Sequence, residues 1–195
     1  MPADTETGNP APLGLVAFGL TTVLLSCVNA GLLSSTGNLV VVPLAMAYGG
    51  TMQVVAGLLE YREGNTFGTV AFSSYGAFWW WYGLLLVFAG NGWISGVDGG
   101  TLGIALLLWG LLTFYLWIST FKLNWALWLV FLTLWLTFLF LGLGELGYGT
   151  GTLGGYVGIL TGLLAMYTSF AEVSNWAWAR SVIPVGSAPL GGSSD

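Results

Sequence analysis

Charge is what this sequence has least of. Of its 195 residues only 6% are Asp, Glu, Lys or Arg, where a soluble domain carries about 25%. A surface that poor in charge would aggregate in water, so the chain reads as an integral membrane protein. It leaves no second soluble domain, because the longest polar stretches are the two tails and the short loops. Histidine is absent, which removes the commonest metal ligand and the commonest general base. The single cysteine, Cys27, excludes an intramolecular disulfide and any Cys-based zinc or iron–sulfur site. Basic residues number 3 against 8 acidic ones, for a net charge of −5; that balance argues against nucleic acid and anionic headgroups as partners. No nucleophile–base pair and no usable phosphate loop is present, and the only lysine, Lys122, lies in a loop. The expectation is a protein that is not an enzyme and holds no cofactor or metal. The N-terminus, Met1-Pro-Ala-Asp-Thr-Glu, lacks the basic start of a signal peptide, so the first apolar run is expected to stay as a membrane helix.

What the chain has instead is apolar length. A spanning helix needs about 20 such residues, and six runs qualify: Pro12–Leu33, Leu39–Leu59, Thr66–Ala89, Thr101–Ser119, Asn124–Leu143 and Leu153–Ala171. They are too continuous for β-barrel strands, which alternate over about 10 residues. The fold class is all-α, with a tail over 1–11, six transmembrane helices over 12–171 and a second tail over 172–195. Arg62, Lys122 and Arg180 fall on one side of such a six-span chain. By the positive-inside rule that side, with both termini, is cytoplasmic. Trp93, Trp125 and Trp176 sit near run ends as interface anchors. Eleven tryptophans exceed what interface belts need, so others must pack between helices or line a cavity.

The odd-numbered helices begin alike. Asn9 precedes "PAPLGLVAF", Asn65 precedes "TFGTVAF", and Asn124 precedes "WALWLVF". Asn is a strong N-cap, because its side-chain oxygen accepts from first-turn N–H groups. Gly14–Phe18 and Gly68–Phe72 are nearly the same word, which hints at three helical hairpins in tandem. Pro10 and Pro12 fit a helix start, where the missing N–H would have had no partner and φ is preset. With Asn9 as cap and Pro10 as the first helical residue, the remaining first-turn N–H groups would face the cytoplasmic mouth. Three helix ends, each carrying roughly half a positive charge, would there favour an anion. They can equally be ordinary caps.

Gly154, Gly158 and Gly162 form a small-residue stripe suited to close helix packing, within one protomer or between two. Gly68, Gly76 and Gly83 make a second stripe. Pro43 should kink the second helix. Glu60 and Glu172 lie at the inner ends of helices 2 and 6, and Glu145 at the outer end of helix 5. They read as interfacial carboxylates, or alternatively as proton-handling groups. No ionisable residue falls near the middle of a span, so a buried-acid proton relay is not visible.

"NPAPLGL" (Asn9–Leu15), "YGGTMQ" (Tyr48–Gln53), "AGLLEYREGNTFG" (Ala56–Gly68), "AFSSYGAFW" (Ala71–Trp79) and "EVSNWAWARSVIPVG" (Glu172–Gly186) together resemble the acetate uptake transporter family, whose bacterial members are succinate–acetate permeases. The resemblance spans roughly Gly8–Gly186. It implies six helices around a central pore, protomers in a ring, commonly a hexamer, and passage of acetate and other small carboxylates with or without protons. It also implies a hydrophobic neck of Phe, Tyr and Leu. The motifs carry that neck onto Phe18 and Tyr75; alignment of helix 5, which departs from the family pattern with extra tryptophans, adds Leu134. The spacing agrees: Phe18 is nine residues past Asn9, and Tyr75 and Leu134 are each ten past Asn65 and Asn124. At about 1.5 Å per residue each lies about 15 Å into the bilayer, near the middle of a core about 30 Å thick.

Such a neck would gate by dewetting and resist bare ions. An acetate anion entering it would need replacements for its water, from the Tyr75 hydroxyl, from Asn9, Thr21, Thr22 or Gln53, or by protonation before the neck. Pro10, Asn65 and Asn124 complete the candidate substrate path. The expected activity is transport of acetate and related small carboxylates in the cell membrane, by proton symport or as an anion channel. A channel for small neutral solutes such as urea or ammonia fits the same composition. A membrane sensor that binds without flux is the third class, and the short tails show no partner motif for it.

Overall fold

The structure, a computed structural model, describes residues 8–191; positions 1–7 and 192–195 of the two expected tails lie outside the described residues. The described residues fold into α1 (Ala11–Asn29), α2 (Ser35–Arg62), α3 (Thr66–Gly90), α4 (Gly99–Thr120), α5 (Trp125–Tyr148) and α6 (Gly151–Ala177), with no strand among them. All but α3 are long and apolar enough to cross a membrane. The 25 residues of α3 carry no charge, but Ser, Trp and Tyr side chains lower its mean hydropathy.

Helix starts follow the polar residues. Asn65 Oδ1 accepts from Gly68 N–H at 3.0 Å, and Asn124 Oδ1 from Leu127 N–H at 2.8 Å. Asp98 does the same for α4, taking both the N–H and the hydroxyl of Thr101 at 2.7 Å. Those two bonds hold its carboxyl below the ordinary carboxylate range. The start of α1 differs from the sequence reading. The helix opens at Ala11, with Pro10 in the cap position and Pro12 in the first turn, while Asn9 Oδ1 accepts from Ala11 N–H at 3.0 Å. The prolines still occupy places where no helical donor is needed.

Pro43 interrupts the regular hydrogen-bond ladder of α2. It removes a donor from the ladder, and the helix runs on as a π-helical segment, Ala45–Met52, before resuming as α-helix at Gln53. Mid-helix π segments are a common mark of functional sites. At the far end, α6 reaches Ala177, six residues beyond the expected Ala171, and α1 stops at Asn29 rather than Leu33.

The helices pack in the order α3–α2–α1–α6–α5–α4, and α4 closes the ring against α3 only sparsely. α1 and α6 approach closely. A Cβ on Gly162 would lie 2.7 Å from the Gly19 carbonyl oxygen, and one on Gly19 would lie 2.7 Å from that of Gly162. The glycine stripe of α6 therefore serves packing within the protomer, against α1 and, at Gly154, against Leu141 of α5. Buried hydroxyls need not disturb such packing. Thr21, Thr133, Thr137, Thr161 and Thr168 each donate to the carbonyl one turn back.

Candidate permeation site

Four helices converge on a small cavity in the middle of the ring. Leu15 and Phe18 come from α1, Gln53 from α2, Ala71, Phe72 and Tyr75 from α3, and Val130, Phe131 and Leu134 from α5. Its volume is about 20 Å³, room for about one water molecule. Phe18, Tyr75 and Leu134 are thus brought to one place, each almost fully buried. The Phe18 and Tyr75 rings sit 5.8 Å apart, and the Phe131 ring 6.2 Å from that of Tyr75. A carboxylate larger than water can pass only if these side chains move.

The odd helices supply matching triplets: Gly14/Leu15/Phe18, Ala71/Phe72/Tyr75 and Val130/Phe131/Leu134, each with spacing i, i+1, i+4. Of the nine, all but Gly14 line the cavity. Leu15, Ala71, Phe72, Val130 and Phe131 escaped the sequence reading, although that spacing was there to find. The near-repeat Gly14–Phe18 and Gly68–Phe72 would instead pair Phe18 with Phe72, one turn short.

Tyr75 is held from outside the cavity. Its hydroxyl donates to Thr113 Oγ1 of α4 at 3.0 Å, and Thr113 Oγ1 donates to the Trp109 carbonyl at 2.7 Å. This bond crosses the sparse α3–α4 seam. Above it, Phe78 packs edge-on against Trp79, Trp109 and Phe138. Trp79 and Trp109 are among the tryptophans that pack between helices rather than at an interface.

The other candidates divide. Gln53 is fully buried on the cavity; its Nε2 donates to the Gly49 carbonyl at 2.6 Å, and its Oε1 has no partner. Thr21 is buried against Gly49 with its hydroxyl turned to Ala17, and Thr22 Oγ1 is buried without a partner; neither lines the cavity. Asn65 Nδ2 donates to Glu60 Oε2 at 2.6 Å, and Asn9 Nδ2 to Glu172 Oε2 at 3.2 Å. Glu60 is buried against the backbone of Gly68, and its Oε1 has no partner. Glu145 is exposed at the C-terminal end of α5, away from Glu60 and Glu172.

The helix ends are less open than the sequence suggests. At α5, the carbonyls of Ser187 and Val185 accept from Trp125 and Ala126 N–H at 3.1 and 2.9 Å, so the segment after α6 covers that end. The segment is pinned by Asn175, whose side chain bonds Val182 and Ile183, and by the Tyr167 hydroxyl on the Pro184 carbonyl. At α1, Asn9 and Pro10 take the first-turn donors. A larger cleft, about 550 Å³, runs between Asn9, Leu13 and Val16 of α1 and Ser169, Glu172 and Trp176 of α6. At about 100° per residue, Leu13 and Val16 lie on the face of α1 away from Leu15 and Phe18, so this cleft is on the outer flank.

The chain matches the GPR1/FUN34/yaaH family over residues 1–190. It belongs to that family. It is 37% identical over 185 residues to the succinate-acetate/proton symporter SatP of Escherichia coli strain K12, covering 94% of this chain and 97% of that one. The structure of the bacterial acetate channel SatP superposes with a TM-score of 0.89 at 37% identity, over 93% of this chain and 100% of that one. The Saccharomyces cerevisiae protein called ammonia transport outward protein 2 is 42% identical over 123 residues, 58% of this chain and 42% of its own length. These likenesses bear out the resemblance read from the motifs. With the helix lengths, they make this member of the GPR1/FUN34/yaaH family a multi-pass membrane protein.

Proposed function

We propose that the chain carries acetate and related small carboxylates across the cell membrane through the neck at Phe18, Tyr75 and Leu134. The observation that supports this most is the convergence of α1, α3 and α5 on one apolar cavity of about 20 Å³ with a single amide, Gln53, among its lining residues. A closed, nearly dry neck blocks ions and opens by side-chain movement. The likeness to SatP supplies the class of solute. Asn9, Pro10, Asn65 and Asn124 shape the approach at the basic end. Glu60 and Glu172 take and release protons there, and Glu145 does so at the other end. Thr21 and Thr22 pack beside the path. Protomers associate as a homo-oligomer, a hexamer by the resemblance, within the lipid bilayer. No catalytic step is part of this role.

Labelled acetate uptake into proteoliposomes tests the reading, with an inward pH gradient and without one, at clamped membrane potential. Uptake above that of empty liposomes supports it. Absence of such uptake by folded protein refutes it. A second reading, passage of a neutral solute such as ammonia or urea, has support from the likeness to ammonia transport outward protein 2. Competition separates the two: propionate blocks a carboxylate path, and urea or methylamine blocks a neutral one.

A further inference from the structure

The seam between α3 and α4 is held at mid-depth and open beyond it. At the level of the neck the Tyr75 hydroxyl donates to Thr113 Oγ1 at 3.0 Å, and the Phe78 and Trp109 rings meet edge-on at 5.3 Å. From there toward the end opposite the basic residues the two helices part. A cleft of about 530 Å³ lies between Ala77 and Trp81 of α3 and Ala105, Leu108 and Trp109 of α4. A second, of about 280 Å³, continues it. The two share Trp81 and Ala105, and the second ends at Gly96, Val97 and Asp98, just before α4. At about 100° per residue, Ala77 lies about 200° round α3 from Tyr75, and both Ala77 and Leu108 are exposed. The groove therefore opens on the outside of the bundle, away from the neck cavity.

Its length, charge and shape say what fills it. From Asp98 to Trp109 is 11 residues of helix, about 16 Å at 1.5 Å per residue. One leaflet contributes half of a hydrocarbon core about 30 Å thick, so the groove is as long as one leaflet is deep. Asp98 is the one charged residue on its lining, and it sits at the loop end, where headgroups lie; below it the walls are Trp, Leu and Ala. A gap with such walls cannot stay empty without loss, because atoms facing a void forfeit their dispersion contacts. A helix of a second copy, about 10–12 Å across, is rigid. It would lie across the opening and leave the foot at Phe78 and Trp109 unfilled. A hydrocarbon chain bends to the taper and reaches it.

We infer that the groove between α3 and α4 is a lipid site, which takes an acyl chain of the leaflet opposite the basic end. Its headgroup rests beside Gly96–Asp98, and its chain runs past Trp81 and Ala105 to end at Trp109. That foot is the backbone which anchors the neck, since the Trp109 carbonyl accepts from the Thr113 hydroxyl that holds Tyr75. The chain thus completes the packing of a seam that the protein's own side chains close only at one level. The inference needs the helices to be in a bilayer and is independent of which solute they carry.

The test reconstitutes the full chain into phosphatidylcholine vesicles doped with a phosphatidylcholine whose acyl chain carries a diazirine. After irradiation, mass spectrometry locates the labelled residues. Label on Ala77, Trp81 and Ala105 should exceed, several-fold, that on Tyr156 and Leu160, which are half exposed on α6 and lie at a like depth. Ala105→Phe fills the groove, so label on Ala77 and Trp81 should fall to the level of the α6 residues. Wild-type label spread evenly over both sets overturns the inference. So does label weaker in the groove than on α6, the result expected if a second copy of the chain covers it. A folded Ala105→Phe that keeps the groove label also overturns it. Should that variant not fold, the wild-type pattern decides alone.

Discussion

Removing the Tyr75 hydroxyl should loosen the neck without emptying it. The ring of Tyr75 lines the cavity, while its hydroxyl is tied to Thr113 across the seam between α3 and α4. If the proposed neck widens by displacement of Tyr75, that bond must break. Side-chain hydrogen bonds between membrane helices average about 0.6 kcal/mol and reach about 1.7. Tyr75→Phe keeps the ring and deletes the tether, so it should raise the fraction of open necks by roughly 3-fold, and by about 18-fold at most. Thr113→Val breaks the same bond differently. It leaves the Tyr75 hydroxyl buried without a partner, which costs about 1–3 kcal/mol, and it also frees the Trp109 carbonyl. Thr113→Val should therefore destabilise the protein more than Tyr75→Phe. In the double variant the orphaned hydroxyl is gone, and part of the loss should return. The assay pairs reversible unfolding in mixed detergent with initial acetate uptake in proteoliposomes, over the four-variant cycle. Additive stabilities within about 0.3 kcal/mol, together with unchanged uptake in Tyr75→Phe, would refute the tether.

Two further outcomes follow from the packing. Phe18→Ala removes one wall of a cavity that now has about 20 Å³ of room; butyrate uptake should rise relative to acetate, and an unchanged ratio would show that Phe18 does not set the size limit. The buried ring also contributes to stability, at about 3–5 kcal/mol for truncation in a packed core, and water filling the enlarged neck should reduce that figure. Gly162→Val places a side chain against the Gly19 carbonyl 2.7 Å away. Backbone cannot yield there without separating α1 from α6, so the cost should be about 1–3 kcal/mol or more, seen as a lowered melting temperature in detergent. A melting temperature equal to wild type would mean that the two helices are not in close contact.

Much of this molecule was legible in one dimension, and the reasons are local. Six apolar runs of spanning length can only be helices in lipid, where each backbone group must find its partner within its own segment. Asn65 and Asn124 were recognisable as caps because capping needs only the three residues that follow. Phe18, Tyr75 and Leu134 could be matched because their distance from the caps sets their depth along a helix. What depth leaves open is azimuth, the direction a side chain takes around the axis. Thr21 is three residues past Phe18, yet its hydroxyl turns to its own helix and the residue stays off the cavity. Asn9 sits at the right end of the bundle, but its amide goes to Glu172.

Partners far apart in sequence were decided by the tertiary structure alone. The donation of Tyr75 to Thr113 spans 38 residues, and nothing near either position announces it. The covering of the α5 start by Val185 and Ser187 depends on where α6 ends, and α6 ran six residues past its expected stop. The state of Gln53 depends on the π turn that follows Pro43, which carries the Gly49 carbonyl that holds the amide nitrogen. Composition and spacing settled that the chain is a bundle of membrane helices with aromatic and aliphatic side chains at mid-depth. Which polar atoms there are already held by a partner was settled by packing, because a hydrogen bond is a relation between two places in space.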